Sequence, residues 1–150
     1  MSSVAASIAP TATRSGRFTR SALRSTAAVG AGIAANAVLS TATDQLFHAL
    51  DVYPPWGQPM PDAGDNLLAL GYRLAYGVLG GYLAARLAPR APMRHALTYG
   101  GVGLVLGSAA AYVTITRFDF GPDWYPLLLA ATALPCAWAG GVLHRRTRRA

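Results

Sequence analysis

The chain has 150 residues, 53% of them hydrophobic and only 13% charged, about half the charged share of a soluble domain, so water is excluded as its sole solvent. Its net charge of +7 raises nucleic acid as a partner, but the basic residues lie between apolar segments and form no single face with interleaved aromatics, which argues against that class. A lone cysteine, Cys136, excludes an intramolecular disulfide and CxxC redox chemistry.

A membrane-spanning helix needs about 20 mostly apolar residues, and four segments meet that need. Residues 1–24 come first: rich in Ser and Arg and without an acid, they read as a flexible basic N-terminus or, on composition, a transit peptide. The first span runs from Ser25 to Leu46. Residues 25–42 also suit a signal sequence with Ser40 and Ala42 at its cleavage site, although the run is longer than an h-region; cleavage would leave three spans beginning near Thr43. Within this span Asn36, Ser40, Asp44 and His48 recur at four-residue intervals, which places them on one slowly turning stripe of a helix.

Tyr53-Pro54-Pro55-Trp56 then turns the chain, with Trp56 as an interfacial anchor. Span two, Leu67–Arg86, carries Arg73 on the same face as Gly77, Gly80 and Ala84, and contains the small-residue pair Gly77 and Gly81. After a turn bearing Arg86, Arg90 and Arg94, span three runs from Ala96 to Ile115 with Gly103 and Gly107. Such pairs let helix backbones approach closely in lipid, within one chain or between copies. A second loop, GPDWYP, supplies the anchors Trp124 and Tyr125. The two loops read either as independent anchors or as a joint lid. Span four, Tyr125–Leu143, holds Pro135, expected to kink it, and Cys136, expected to pack as a small apolar group. A basic tail, 144–150, completes the chain.

Eleven of the 13 basic residues, all arginines, fall before span one, between spans two and three, or after span four. The opposite side has Arg117 with Asp51, Asp62, Asp65, Asp119 and Asp123. Arginine accumulates on cytoplasmic flanks, so the expected fold is an all-α integral membrane four-helix bundle with both termini cytoplasmic, placed in a cell inner membrane. The lipid bilayer is its first partner, a homo-oligomer or another membrane protein its second, and nucleic acid none.

The polar stripe must avoid lipid, and Arg73 offers Asp44 a partner across spans one and two. Asp44, His48, Arg73, Tyr72, Tyr76, Asn36 and Ser40 therefore form the candidate polar cluster. It reads either as a structural clamp or as an outward-facing site for an anion, a lipid headgroup, a quinone carbonyl or a proton. Catalytic and metal-binding readings are weak. His48 and the pair His95 and His144 lie at opposite membrane faces, two ligands at Asp44 and His48 fall short of a zinc set, and no nucleophile elbow, phosphate loop or haem-attachment motif occurs. No cofactor is expected.

The runs TDQLFHALDVYPPWGQPM, RLAPRAPMRHAL, GPDWYPLLL and LPCAWAGG together resemble a set of small four-span bacterial membrane proteins of unknown function, over residues 40–143. The resemblance implies membrane placement and no activity. Small multidrug exporters share the four-span plan but use a glutamate in their first span, and this chain has none. The sequence therefore favours an accessory or interaction component, with a small oligomeric transporter or channel subunit for protons or a small anion as the alternative and a membrane enzyme behind both.

Overall fold

A computed structural model describes residues 14–118 and 120–149. Among them the chain forms four helices: α1 (Arg14–Ala49), α2 (Ala63–Leu87), α3 (Pro92–Arg117) and α4 (Trp124–Thr147). All four contain stretches long and apolar enough to cross a membrane. Residues 1–13, Asp119 and Ala150 lie outside the described part. Each helix overruns its expected span. The largest difference is at the N-terminus, where the segment expected to be flexible is helical from Arg14 onward. Arg, Ala and Leu are strong helix formers and no proline interrupts residues 14–49, so the helix continues past the apolar run. At about 1.5 Å per residue α1 is about 54 Å long, well beyond a hydrocarbon core.

Local chemistry ends each helix. At the end of α1 the Asp51 N–H donates to His48 O (3.3 Å) and the Val52 N–H to Phe47 O (2.9 Å). Asp51 takes a left-handed conformation, φ 55°, the pattern of a Schellman cap, with Asp where Gly is usual. Asp62 starts α2, its Oδ1 accepting from the N–H groups of Gly64 (2.7 Å) and Asp65 (3.1 Å), and Pro92 opens α3, where its missing N–H costs nothing. Pro135 lies inside α4 without ending it.

The helices run up and down, so acidic loops gather at one end and Arg86, Arg90, Arg94, Arg145 and Arg146 at the other. α2 packs against all three other helices, α3 and α4 pack closely on each other, and α1 and α4 do not meet among the described residues. The core is made of small residues, with Ala84, Ala85, Ala96 and Ala137 fully buried, while bulky side chains such as Val38 (65% exposed) and Val105 (68%) face outward. That inverts the arrangement of a water-soluble bundle. It follows instead from close backbone approach: a methyl group on Gly81 would stand 2.8 Å from Ala137 Cα, and one on Gly107 would stand 3.3 Å from Ala130 Cα. Gly77 faces Cys136 and Gly103 faces Ala133. All four glycines of the two small-residue pairs thus serve α4 within one chain.

Candidate functional site

At the acidic end α1 and α2 meet through polar groups. Arg73 Nη2 donates to Asp44 Oδ2 at 2.6 Å, and the Tyr72 hydroxyl donates to the other carboxylate oxygen. One turn deeper, the hydroxyls of Thr43 and Tyr76 share a hydrogen bond of 2.9 Å. Phe47 lies beside Tyr72, ring centroids 5.8 Å apart. The pairing is antiparallel: Asp44 lies five residues before the end of α1 and Arg73 ten residues after the start of α2, so the long guanidinium reaches back toward the acidic end to meet the shorter carboxylate. Both side chains are mostly buried, 15% exposed for Asp44 and 29% for Arg73.

His48 departs from the expected cluster. Its Nδ1 donates to the Pro54 carbonyl at 2.6 Å, since a carbonyl can only accept. The ring lies 4.0 Å from that of Trp56 and 5.6 Å from that of Tyr53. The Schellman turn explains the departure, because it folds residues 52–56 back over the last turn of α1, where His48 becomes the support of the Pro-Pro-Trp corner. Trp56, supported by His48, is still 61% exposed. Tyr53 is 5% exposed, its hydroxyl without a partner, and burial pushes that phenol above its ordinary value of 10.0.

Two cavities flank the ion pair. The first, about 380 Å³, opens between α1 and α3 with α2 and α4 as its floor. Asn36, Ser40 and Asp44 line it from α1 and Arg73 from α2, and its rim at Ala37, Thr41 and Leu106 is exposed. Tyr99 closes it toward the basic end, packed over Gly80 where α1 and α2 nearly touch. The second cavity, about 410 Å³, lies under the two acidic-end loops. Its walls include His48, Trp56, Phe118, Phe120 and Tyr125. Arg73, Gly107 and Leu129 line both cavities, so Arg73 stands in the wall between them. The buried Arg73 Nε and Asn36 Oδ1 have no hydrogen-bond partner.

The loops over the second cavity pack against each other. The Met60 N–H donates to Phe120 O at 2.7 Å, and buried Asn66 donates to the carbonyls of Met60 (2.8 Å) and Asp62 (2.7 Å). The two loops are thus in direct contact over the second cavity. Trp124 and Tyr125 open α4 beside it, their rings edge to face at 6.2 Å. Sequence reasoning does not place Asn66, Thr43 or Tyr53 in the site. Asn66 had a signal, a polar side chain in the first turn of an apolar helix just after its Asp62 cap; Thr43, next to Asp44, had a weaker one.

No protein-family model matches this chain, and no curated protein or solved structure matches it.

Proposed function

We propose that the chain is a small multi-pass protein of a cell inner membrane, both termini cytoplasmic, acting as an accessory or interaction component. The acidic end is then the outer face, an orientation supported by the eleven arginines on one side against Arg117 on the other. The observation that carries the reading is the Asp44–Arg73 pair, closed by Tyr72. Either charge alone would be costly in lipid, whereas together they fix the register of α1 on α2. The polar cluster is in this reading a clamp that presents a preformed outer surface, and its partners are the bilayer and a second membrane protein or another copy of the chain.

A double-mutant cycle tests the clamp. Asp44→Ala and Arg73→Ala should each lower the yield of folded protein in membranes, and the double variant should lose less than the sum. Additive losses would overturn the pairing. Orientation is tested separately in a Cys136→Ala background, where a cysteine at Gly57 should react with an impermeant maleimide in intact cells and one at Thr147 should not.

A second reading, a small transporter or channel subunit, draws on one observation: cavities on both sides of Arg73 that share that residue as a wall. Proton or anion flux in vesicles reconstituted with the folded chain, absent from protein-free vesicles, would favour it over the clamp.

A further inference from the structure

We infer that the basic end carries a binding site for a phosphate ester, in a pocket between α2 and α4 that the clamp does not use. The pocket, about 360 Å³, is lined by Tyr82 and Arg86 of α2, by His144 and Thr147 of α4, and by Arg148 just beyond it. Spacing explains the convergence. Tyr82 and Arg86 lie one turn apart on their helix, and His144, Thr147 and Arg148 span one turn at the end of the other, so each set shares a face. Tyr82 links the sets, its hydroxyl accepting from Arg86 Nη1 at 3.0 Å and its ring meeting that of His144 edge to face at 5.7 Å.

Two observations call for a ligand. His144 is only 6% exposed, yet it lines the pocket and its ring makes no hydrogen bond among the described residues, where a buried imidazole normally finds a partner. Arg86 and Arg148 bring like charges to one pocket, and no Asp or Glu side chain lies between Asp65, at the far end of α2, and Asp119, or anywhere after Asp123. The described ion pair, Arg73 with Asp44, belongs to the acidic end. Neither helix therefore offers these guanidiniums a carboxylate side chain, and an anion from outside supplies the missing charge.

The donors fix its class. Thr147 gives its hydroxyl proton to His144 O at 3.0 Å, but both guanidiniums, the Tyr82 O–H and a ring nitrogen of His144 can all donate into the pocket. One guanidinium fork would satisfy a carboxylate, whereas donors converging from two helices suit the several oxygens of a phosphate. The volume leaves room for the alcohol to which it is esterified. Leu87 and Leu143, chain neighbours of Arg86 and His144, are exposed, so the pocket stands where apolar surface gives way to charge, at headgroup level in the membrane placement proposed above. A phospholipid headgroup and a soluble phosphate ester share this chemistry, and the test separates them.

The full chain in dodecyl maltoside is titrated with phosphatidylglycerol, with diacylglycerol, which lacks the phosphate, or with glycerol 3-phosphate, and thermal retention of monodisperse protein is followed. A saturable rise in midpoint is expected with phosphatidylglycerol and not with diacylglycerol. A matching rise with glycerol 3-phosphate assigns the site to soluble esters as well; its absence assigns the site to lipid. Arg148→Gln, at an exposed position, should weaken apparent affinity about tenfold. His144→Phe, which keeps a ring against Tyr82, should weaken it about fivefold. The pair Arg90→Gln with Arg145→Gln removes two charges from the same end outside the pocket and should change affinity less than about twofold.

No rise with either phosphate ester, an equal rise with diacylglycerol, or a loss in the Arg90/Arg145 pair as large as in Arg148→Gln would each overturn the site while leaving the clamp intact. If His144→Phe does not fold, Arg148→Gln still decides. A chain that is monodisperse without detergent would overturn the membrane placement and the lipid arm with it, and glycerol 3-phosphate would then decide the pocket alone.

Discussion

The face of α2 that meets α4 and the acidic-end part of the face that meets α1 are held by opposite means. Toward α4, Gly77 and Gly81 let the backbones approach until Cys136 and Ala137 fill the space, and polar side chains meet only nearer the basic end, where Tyr82 lies edge to face with His144 at 5.7 Å. Toward α1 near the acidic end, the contact is a ladder of side-chain oxygens and nitrogens: Thr43 to Tyr76, Asp44 to Tyr72 and Arg73. Small-residue packing is short-ranged and tolerates no insertion, and deeper in the bundle it joins α1 to α2 as well, where a methyl group on Gly32 would meet the Gly80 carbonyl. Polar pairs are long-armed, so near the acidic end α1 is joined to α2 by contacts that leave a crevice along its α3 side. The cavities lie where the second kind of contact replaces the first.

The sharpest way to break this comparison is to add the same side chain to glycines in the two kinds of setting. Gly81→Leu meets Ala137 backbone at once, and should destabilise the fold by about 3 kcal/mol, the upper range for overpacking, because backbone cannot rotate away. Gly71→Leu, on the open side of the same helix with nothing within 4 Å, should change stability by less than about 0.5 kcal/mol. Thermal retention of monodisperse protein in detergent reads both. Equal losses would mean that the α2–α4 approach is looser than its geometry.

Next in size is the tie between the loops. Asn66 donates twice, to Met60 and Asp62, and Met60 in turn reaches Phe120. Asn66→Leu removes both donors and leaves two carbonyls to find other partners, a cost of about 2 kcal/mol. Its signature is local: hydrogen exchange should accelerate at Gln58 and Met60 while the amides around Ala84 and Ala137 stay protected. Uniform acceleration would show that the lid and the α2–α4 contact are one cooperative unit.

Tyr76→Phe probes the ladder at its weakest rung. Loss of the bond to Thr43 should cost about 0.6 kcal/mol, the average for an interhelical hydrogen bond in a membrane protein. Asp44 and Arg73 should show no coupling with it beyond about 0.5 kcal/mol in a double-mutant cycle if the rungs act independently.

The sequence made the four helices legible because apolar length and arginine placement are local properties that survive folding. It also brought Asp44 toward Arg73, since a carboxylate near the end of one apolar segment and a guanidinium just inside the next have few other partners. His48 was not legible in the same way. Its partner is the carbonyl of Pro54, presented by a left-handed Asp51 that follows no glycine signal, and a backbone acceptor has no letter in the sequence. The Met60–Phe120 link is hidden for the same reason. Gly77, Gly81, Gly103 and Gly107 announced close approach without naming the neighbour; that all four point to α4 depends on the arrangement of the bundle, which spacing along one helix does not encode.

The smallest expected effect belongs to Tyr53, and its direction is opposite to the others. The ring fills space against Phe47 and His48, but the buried hydroxyl has no partner, so Tyr53→Phe keeps the packing and removes an unmet polar group. At neutral pH it should stabilise the loop by about 0.5 kcal/mol. Burial raises the folded-state pKa of this phenol above its ordinary value of 10.0, so above pH 10 the unfolded chain loses the proton before the folded one does. The unfolded state then binds fewer protons, and stability falls as pH rises. The difference between wild type and Tyr53→Phe should therefore widen from pH 10 upward, in favour of the variant, when loop opening is followed by Trp56 emission in a background where Trp124 and Trp138 are phenylalanine. A constant difference across that range would mean that water already reaches the hydroxyl, and that the corner over His48 is more open than its contacts imply.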